Sequence, residues 1–199
     1  MLRYPAPLAR LIEIFRKLPG VGVKSAERFA FHLLSEPETV SHEVITAILQ
    51  AREHLHNCPV CGCLIGKKIC DYCNTKNRDS LQLCIVAHAK DVFIIDSTGE
   101  YQGLYHVLGG LLSPMKGYHP EDLFLNNLKD RIQLLNIQEV VIALDSTLEG
   151  DATAWYLKRE LAACKVKLSR LAFGLPIGSS FEFVDSGTLA RAFMGRGQF

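Results

Sequence analysis

The sequence predicts an α+β chain of several parts: a helical N-terminal unit, a small four-cysteine zinc motif, and a C-terminal α/β unit on a parallel sheet. Three observations predict it. Apolar residues recur at three- and four-residue steps up to about residue 56, two C-x-x-C pairs follow between residues 58 and 73, and from residue 82 short apolar runs alternate with helical stretches. The expected parts are residues 1–56, 57–80, 81–176 and a packing or oligomerisation segment over 177–199.

In the first part Leu8, Leu11, Ile12, Phe15 and Leu18 form one apolar stripe, and Ala26, Phe29, Ala30 and Leu33 form a second that Pro37 ends. Val44, Ile45, Ile48, Leu49 and Leu55 give a third helix. Between the first two, residues 18 to 34 read LPGVGVKSAERFAFHLL. Gly20 and Gly22 supply a tight turn, and Lys24 and Arg28, four residues apart, share one face of the next helix. Such a turn exposes backbone N–H groups beside the positive end of a helix dipole, which suits a phosphate. The bland alternative is an αα-hairpin whose glycines only turn the chain and whose two cations are solvated.

Cys58-Pro-Val-Cys61 and Cys70-Asp-Tyr-Cys73 are separated by eight residues. Two residues between thiolates let both reach one ion, and two such knuckles complete a tetrahedron of soft ligands suited to a single zinc. Four thiolates leave no open position, so the expected role is structural. Cys63, His54 and His56 are competing ligands that fit the paired spacing less well, and Cys84 and Cys164, among apolar neighbours, read as core thiols.

The runs at 83–87, 104–108, 139–144 and 167–172 read as buried strands, with Ala152, Tyr156, Leu157 and Leu161 as a crossover helix before the last. The strand at 139–144 runs into Asp145, followed by Glu149 and Asp151. Carboxylates at the carboxyl end of a parallel strand occupy the usual ligand position of such folds. They are either a residual acidic site for a weakly held magnesium ion or charges that complement the helix N-terminus.

The formal charge is +1, from 22 lysines and arginines against 21 acids, so bulk charge does not hold a polyanion and any such binding comes from a local patch or from several copies. Neither a signal peptide nor a membrane span is expected. The seven cysteines are accordingly expected in a reducing cytoplasm, as free or metal-bound thiols.

The hairpin string resembles the helix-hairpin-helix of DNA-repair proteins, and ALDSTLEG resembles the strand end of Toprim domains. In Toprim enzymes a glutamate ends the first strand and two aspartates end the later one; here those positions hold Ala87, Asp145 and Thr147. Adding the knuckles, STGEYQGLYHVLGGLLSPMKG and the closing GLPIG and TLARAF segments, the chain resembles the RecR family of bacterial recombination mediators almost end to end. The resemblance implies a non-enzymatic clamp with no catalytic residue, a ring-shaped homo-oligomer of about two to four chains, partners of the RecO and RecF type, and nucleoid-associated action that loads a recombinase at gaps. Carried over by position, Gly20, Gly22, Lys24 and Arg28 are the DNA contacts and Cys58, Cys61, Cys70 and Cys73 the zinc ligands. The rival expectation is a magnesium-dependent Toprim nuclease or primase using Asp145, Glu149 and Asp151.

Overall fold

Pro5 and Pro7 open the first helix, where the missing N–H of proline has no helical partner to lose. The computed structural model of the chain describes residues 4–196 except 173 and 177, so Ile177 and residues 197–199 of the expected C-terminal segment lie outside the described residues. The chain divides into two units, Met1–Leu55 and His56–Phe199.

The first unit holds α1 (Ala6–Arg16), α2 (Val23–Ser35) and α3 (Glu38–His54). Its small core is Ile12, Ala26 and Ala30, with Leu8, Leu11, Phe15 and Val21 packed round it. Two alanines on one face of α2, packed with Ile12, let α1 lie against it, so the two predicted stripes meet in one core. The third stripe behaves differently. No described residue of α3 is buried, and Val44, Ile45, Ile48 and Leu49 are 40–61% exposed.

The second unit runs β1 (His56–Asn57), β2 (Leu64–Ile65), β3 (Asp79–Val86), α4 (Ala89–Asp96), β4 (Gly103–Val107), α5 (Leu128–Leu134), β5 (Glu139–Ala143), α6 (Leu148–Glu160), β6 (Lys167–Arg170) and α7 (Ser186–Met194). β1 and β2 form a short antiparallel hairpin, while the other four strands form a parallel sheet in the order β4-β3-β5-β6. The strands have period two, so alternate residues feed two cores. Leu83, Ile85, Val140 and Ile142 face Leu128, Ile132, Leu157 and Leu161 of α5 and of α6 and its C-terminal end. Cys84, Val86, Tyr105 and Val107 belong to the second core, with Val92 of α4 and the buried cysteines 58, 61, 63 and 70.

His106 of β4 is fully buried, stacked on Phe124 and donating from Nε2 to the Phe124 carbonyl at 2.6 Å. Burial holds its imidazole neutral, pushing its pKa down to about 4.

Candidate metal centre and nucleic-acid interface

The four expected cysteines converge. The Sγ atoms of Cys58, Cys61, Cys70 and Cys73 all lie within 4.8 Å of one another, with Cys58 to Cys73 at 3.7 Å and Cys61 to Cys70 at 3.5 Å. A zinc ion about 2.3 Å from each of four sulfurs sets the edges of its tetrahedron at about 3.8 Å, so the donor set fits a metal ion. The hydrogen bond between the two sulfurs pushes the Cys61 thiol up and the Cys70 thiol down. Cys63 is buried beside them, its thiol raised to about 12 by burial, but it is not one of the four. His54 and His56 are exposed and also outside the cluster. Cys84 lies in the sheet core and Cys164 at its margin, as their apolar surroundings suggest.

The knuckles are shaped by backbone contacts that no spacing rule reveals. Gly62 has φ +73, and a methyl group there would stand 2.7 Å from the Val107 carbonyl oxygen, so both conformation and space require glycine after Cys61. Val107 N donates to Cys61 O at 2.7 Å, and Tyr105 N donates to Tyr72 O at 3.0 Å. Each knuckle is thus hydrogen-bonded to β4, the edge strand, whose open side it covers. Arg78 completes the joint: it bonds the carbonyls of Asp71 and Gly103, pairs with Asp96, and lies 5.5 Å and 5.1 Å from the ring centroids of Tyr72 and Tyr105.

In the helical unit, Gly20 takes φ +78 in the turn, while Gly22 is the N-cap of α2 with ordinary angles of −79° and 174°. A methyl group at either would meet no atom within 4 Å. No side chain caps α2, and Lys24 and Arg28 are exposed on the same helix, in no salt bridge among the described residues. The turn therefore presents open backbone, uncapped N–H groups and two cations together.

The acidic strand end is divided. Asp145 and Glu149 line a cleft of about 320 Å³ with His88 and Tyr118, and Lys116 Nζ lies 3.6 Å from Glu149 Oε1. Asp151 is engaged elsewhere: Arg170 reaches it at 2.6 Å and Arg191 of α7 at 3.1 Å. The Arg170 hydrogen bond holds its carboxyl below the usual range. Thr147, at an acid position of the Toprim pattern, caps α6 by accepting from Gly150 N at 3.1 Å. Ala87 is buried at the end of β3. Lys116, Arg78, Arg170 and Arg191 carry much of this electrostatics, and nothing in their sequence spacing singles them out: the three arginines bind acids 18 to 40 residues away.

Comparison with known proteins gives three matches along the chain: residues 8–52 match the RecR helix-hairpin-helix, residues 82–172 the Toprim domain and residues 174–196 the RecR C-terminal family. The chain is 55% identical over 198 residues to "Recombination protein RecR" of Protochlamydia amoebophila, covering all of both chains. It is 48% identical over 201 residues to that of Chlamydia felis, again over all of both, and 42% identical over 196 residues to that of Lactobacillus helveticus, over 98% of each. With the hairpin, the cysteine cluster and the parallel sheet in this order, the chain belongs to the RecR family of recombination proteins.

Proposed function

We propose that this chain is a DNA-binding recombination mediator of recombinational DNA repair, a non-enzymatic clamp that grips the sugar-phosphate backbone through its hairpin turn. The observation that carries the reading is Gly22. Its dihedral angles suit any residue and its surroundings leave room for a side chain, so nothing inside the chain requires glycine there. A phosphate approaching the uncapped N-terminus of α2 does require it, with Lys24 and Arg28 supplying charge beside it.

The cysteine cluster, in this reading, holds one structural zinc per chain. A subunit of formal charge +1 binds a polyanion weakly alone, so the clamp is a homo-oligomeric ring of about two to four copies, which multiplies the phosphate contacts. The family supports partners of the RecO and RecF type and a cytoplasmic, nucleoid-associated setting; no described helix is long and apolar enough to cross a membrane. Lys116 beside Glu149, and two arginines on Asp151, leave Asp145 as the one acid of the three without a cationic partner among the described salt bridges. Two-metal phosphoryl chemistry needs more negative charge than that.

The test is binding to gapped DNA at low salt by the double variant Lys24→Ala, Arg28→Ala, with oligomer size checked in parallel. Affinity should fall at least about tenfold, because several phosphates then go unneutralised; undiminished affinity refutes the clamp. Magnesium-dependent DNA cleavage abolished by Asp145→Ala would overturn the non-enzymatic reading.

A further inference from the structure

Trp155 is the chain's single tryptophan, and it stands 67% exposed on α6. The helix does not use it for packing: Ala154 and Leu157 on either side face the sheet. Lys158, one turn on, places its Nζ 5.0 Å from the centre of the indole. Between α6 and the edge strand β6 lies a cleft of about 240 Å³, floored by Ile142, Ala154 and Leu168 and walled by Trp155 and Lys158, with Arg170 also lining it. Lys165 and Lys167 continue the positive charge along the β6 segment. Lys167 is paired with Glu139, whereas Lys158 and Lys165 are in no salt bridge among the described residues.

An apolar floor, one flat aromatic wall and an ammonium at that wall's face select a ligand that is flat, π-bearing and joined to a negative charge. A peptide meets all three demands only where an aromatic anchor has an acidic neighbour, whereas every nucleotide of a single strand joins a flat base to a phosphate, and the cationic rim opposes a purely apolar occupant. A duplex keeps its bases stacked on one another and offers no free face. We infer that this cleft receives an unpaired base of single-stranded nucleic acid, stacked on Trp155, with the adjoining phosphate on Lys158. The inference rests on the DNA-binding reading for the identity of the polyanion, but it uses a face separate in sequence from Lys24 and Arg28, and it adds preference for single-stranded over duplex segments.

The single tryptophan makes its own probe. The full chain is titrated at low salt with a dye-labelled oligothymidylate of about twelve nucleotides, reading tryptophan emission and dye anisotropy together. Emission should be quenched in step with anisotropy, and a duplex of equal length should bind without quenching. Trp155→Ala should weaken single-strand binding by about 5- to 150-fold, the contribution of one stacked base, with Trp155→Phe recovering part of it and Lys158→Glu weakening binding as well. The Lys24→Ala, Arg28→Ala variant should still show quenching at saturating oligonucleotide, which separates this site from the hairpin. Anisotropy that rises while emission stays constant, or unchanged affinity of a folded Trp155→Ala protein, overturns the inference. So does a concentration-dependent emission shift without DNA, which would assign the cleft to a second copy of the chain.

Discussion

Cys58 is the residue on which the metal reading is most directly tested. Serine there removes one of four thiolates and leaves three sulfurs that cannot close a tetrahedron. The expected result by elemental analysis is a fall from about one zinc per chain to near none, with a loss of about 3 kcal/mol or more in unfolding free energy. Full occupancy in the variant would transfer the ligand role to Cys63, which is buried beside the cluster. His106 tests burial in another way. Its folded pKa, about 4, lies below the ordinary histidine value of 6.5, so the unfolded chain takes up a proton before the folded chain does. The associated stability is complete above about pH 6.5 and is lost as pH falls toward 4, at up to about 1.4 kcal/mol per pH unit. Urea unfolding of His106→Gln across pH 4–7 should show that slope reduced.

At the scale of elements, three glycines that look alike in the sequence predict three different outcomes. Gly150→Ala in the first turn of α6 drives a methyl group into the Asp145 carbonyl oxygen, so the β5–α6 connection must move. The cost should be about 3 kcal/mol, visible as a lowered thermal midpoint. Gly62→Ala meets both a positive φ and the Val107 carbonyl, and should weaken metal retention together with stability. Gly22→Ala meets neither. Calorimetry should find it within about 1 kcal/mol of the parent, the range of an N-cap change, while DNA binding drops; equal loss of stability and binding would make the turn merely structural. The same scale accounts for the docking of the knuckles on β4. An edge strand presents unpaired backbone groups, and Cys61 O and Tyr72 O accept two of them.

For the whole molecule, the proposed ring makes a test of its own, because a chain of formal charge +1 holds a polyanion weakly as a single copy. If several copies enclose DNA, the log–log salt slope should be steep, and removing the cation that neutralises one phosphate should lower it by about 0.9. Sedimentation and binding measured over one dilution series should fall together, because the enclosed strand is held only while the assembly persists. Affinity that survives dilution to a monomer would contradict the ring. The apolar residues Ile45, Ile48 and Leu49 on α3 are 54–61% exposed, although Ser41 of the same helix bonds the Leu33 carbonyl of α2.

Periodic and closely spaced features can be read straight from the amino-acid order. The helical stripes, the two knuckles and the four strand runs are legible because 3.6-residue and two-residue periods, and two residues between thiols, are local consequences of backbone geometry. The short helices α4, α5 and α7 are not legible, since seven to nine residues make only about two turns, and in α4 the consecutive Val92, Phe93, Ile94 and Ile95 show no helical period. Tertiary structure alone decided which charges meet. Asp145, Glu149 and Asp151 read as one acidic group, yet Lys116 stands beside Glu149 and Arg170 and Arg191 draw Asp151 away. It also decided that the knuckles lean on β4 and that Trp155 stays in solvent. Those outcomes depend on residues tens of positions apart in the chain, and only the folded path of the backbone sets their distances.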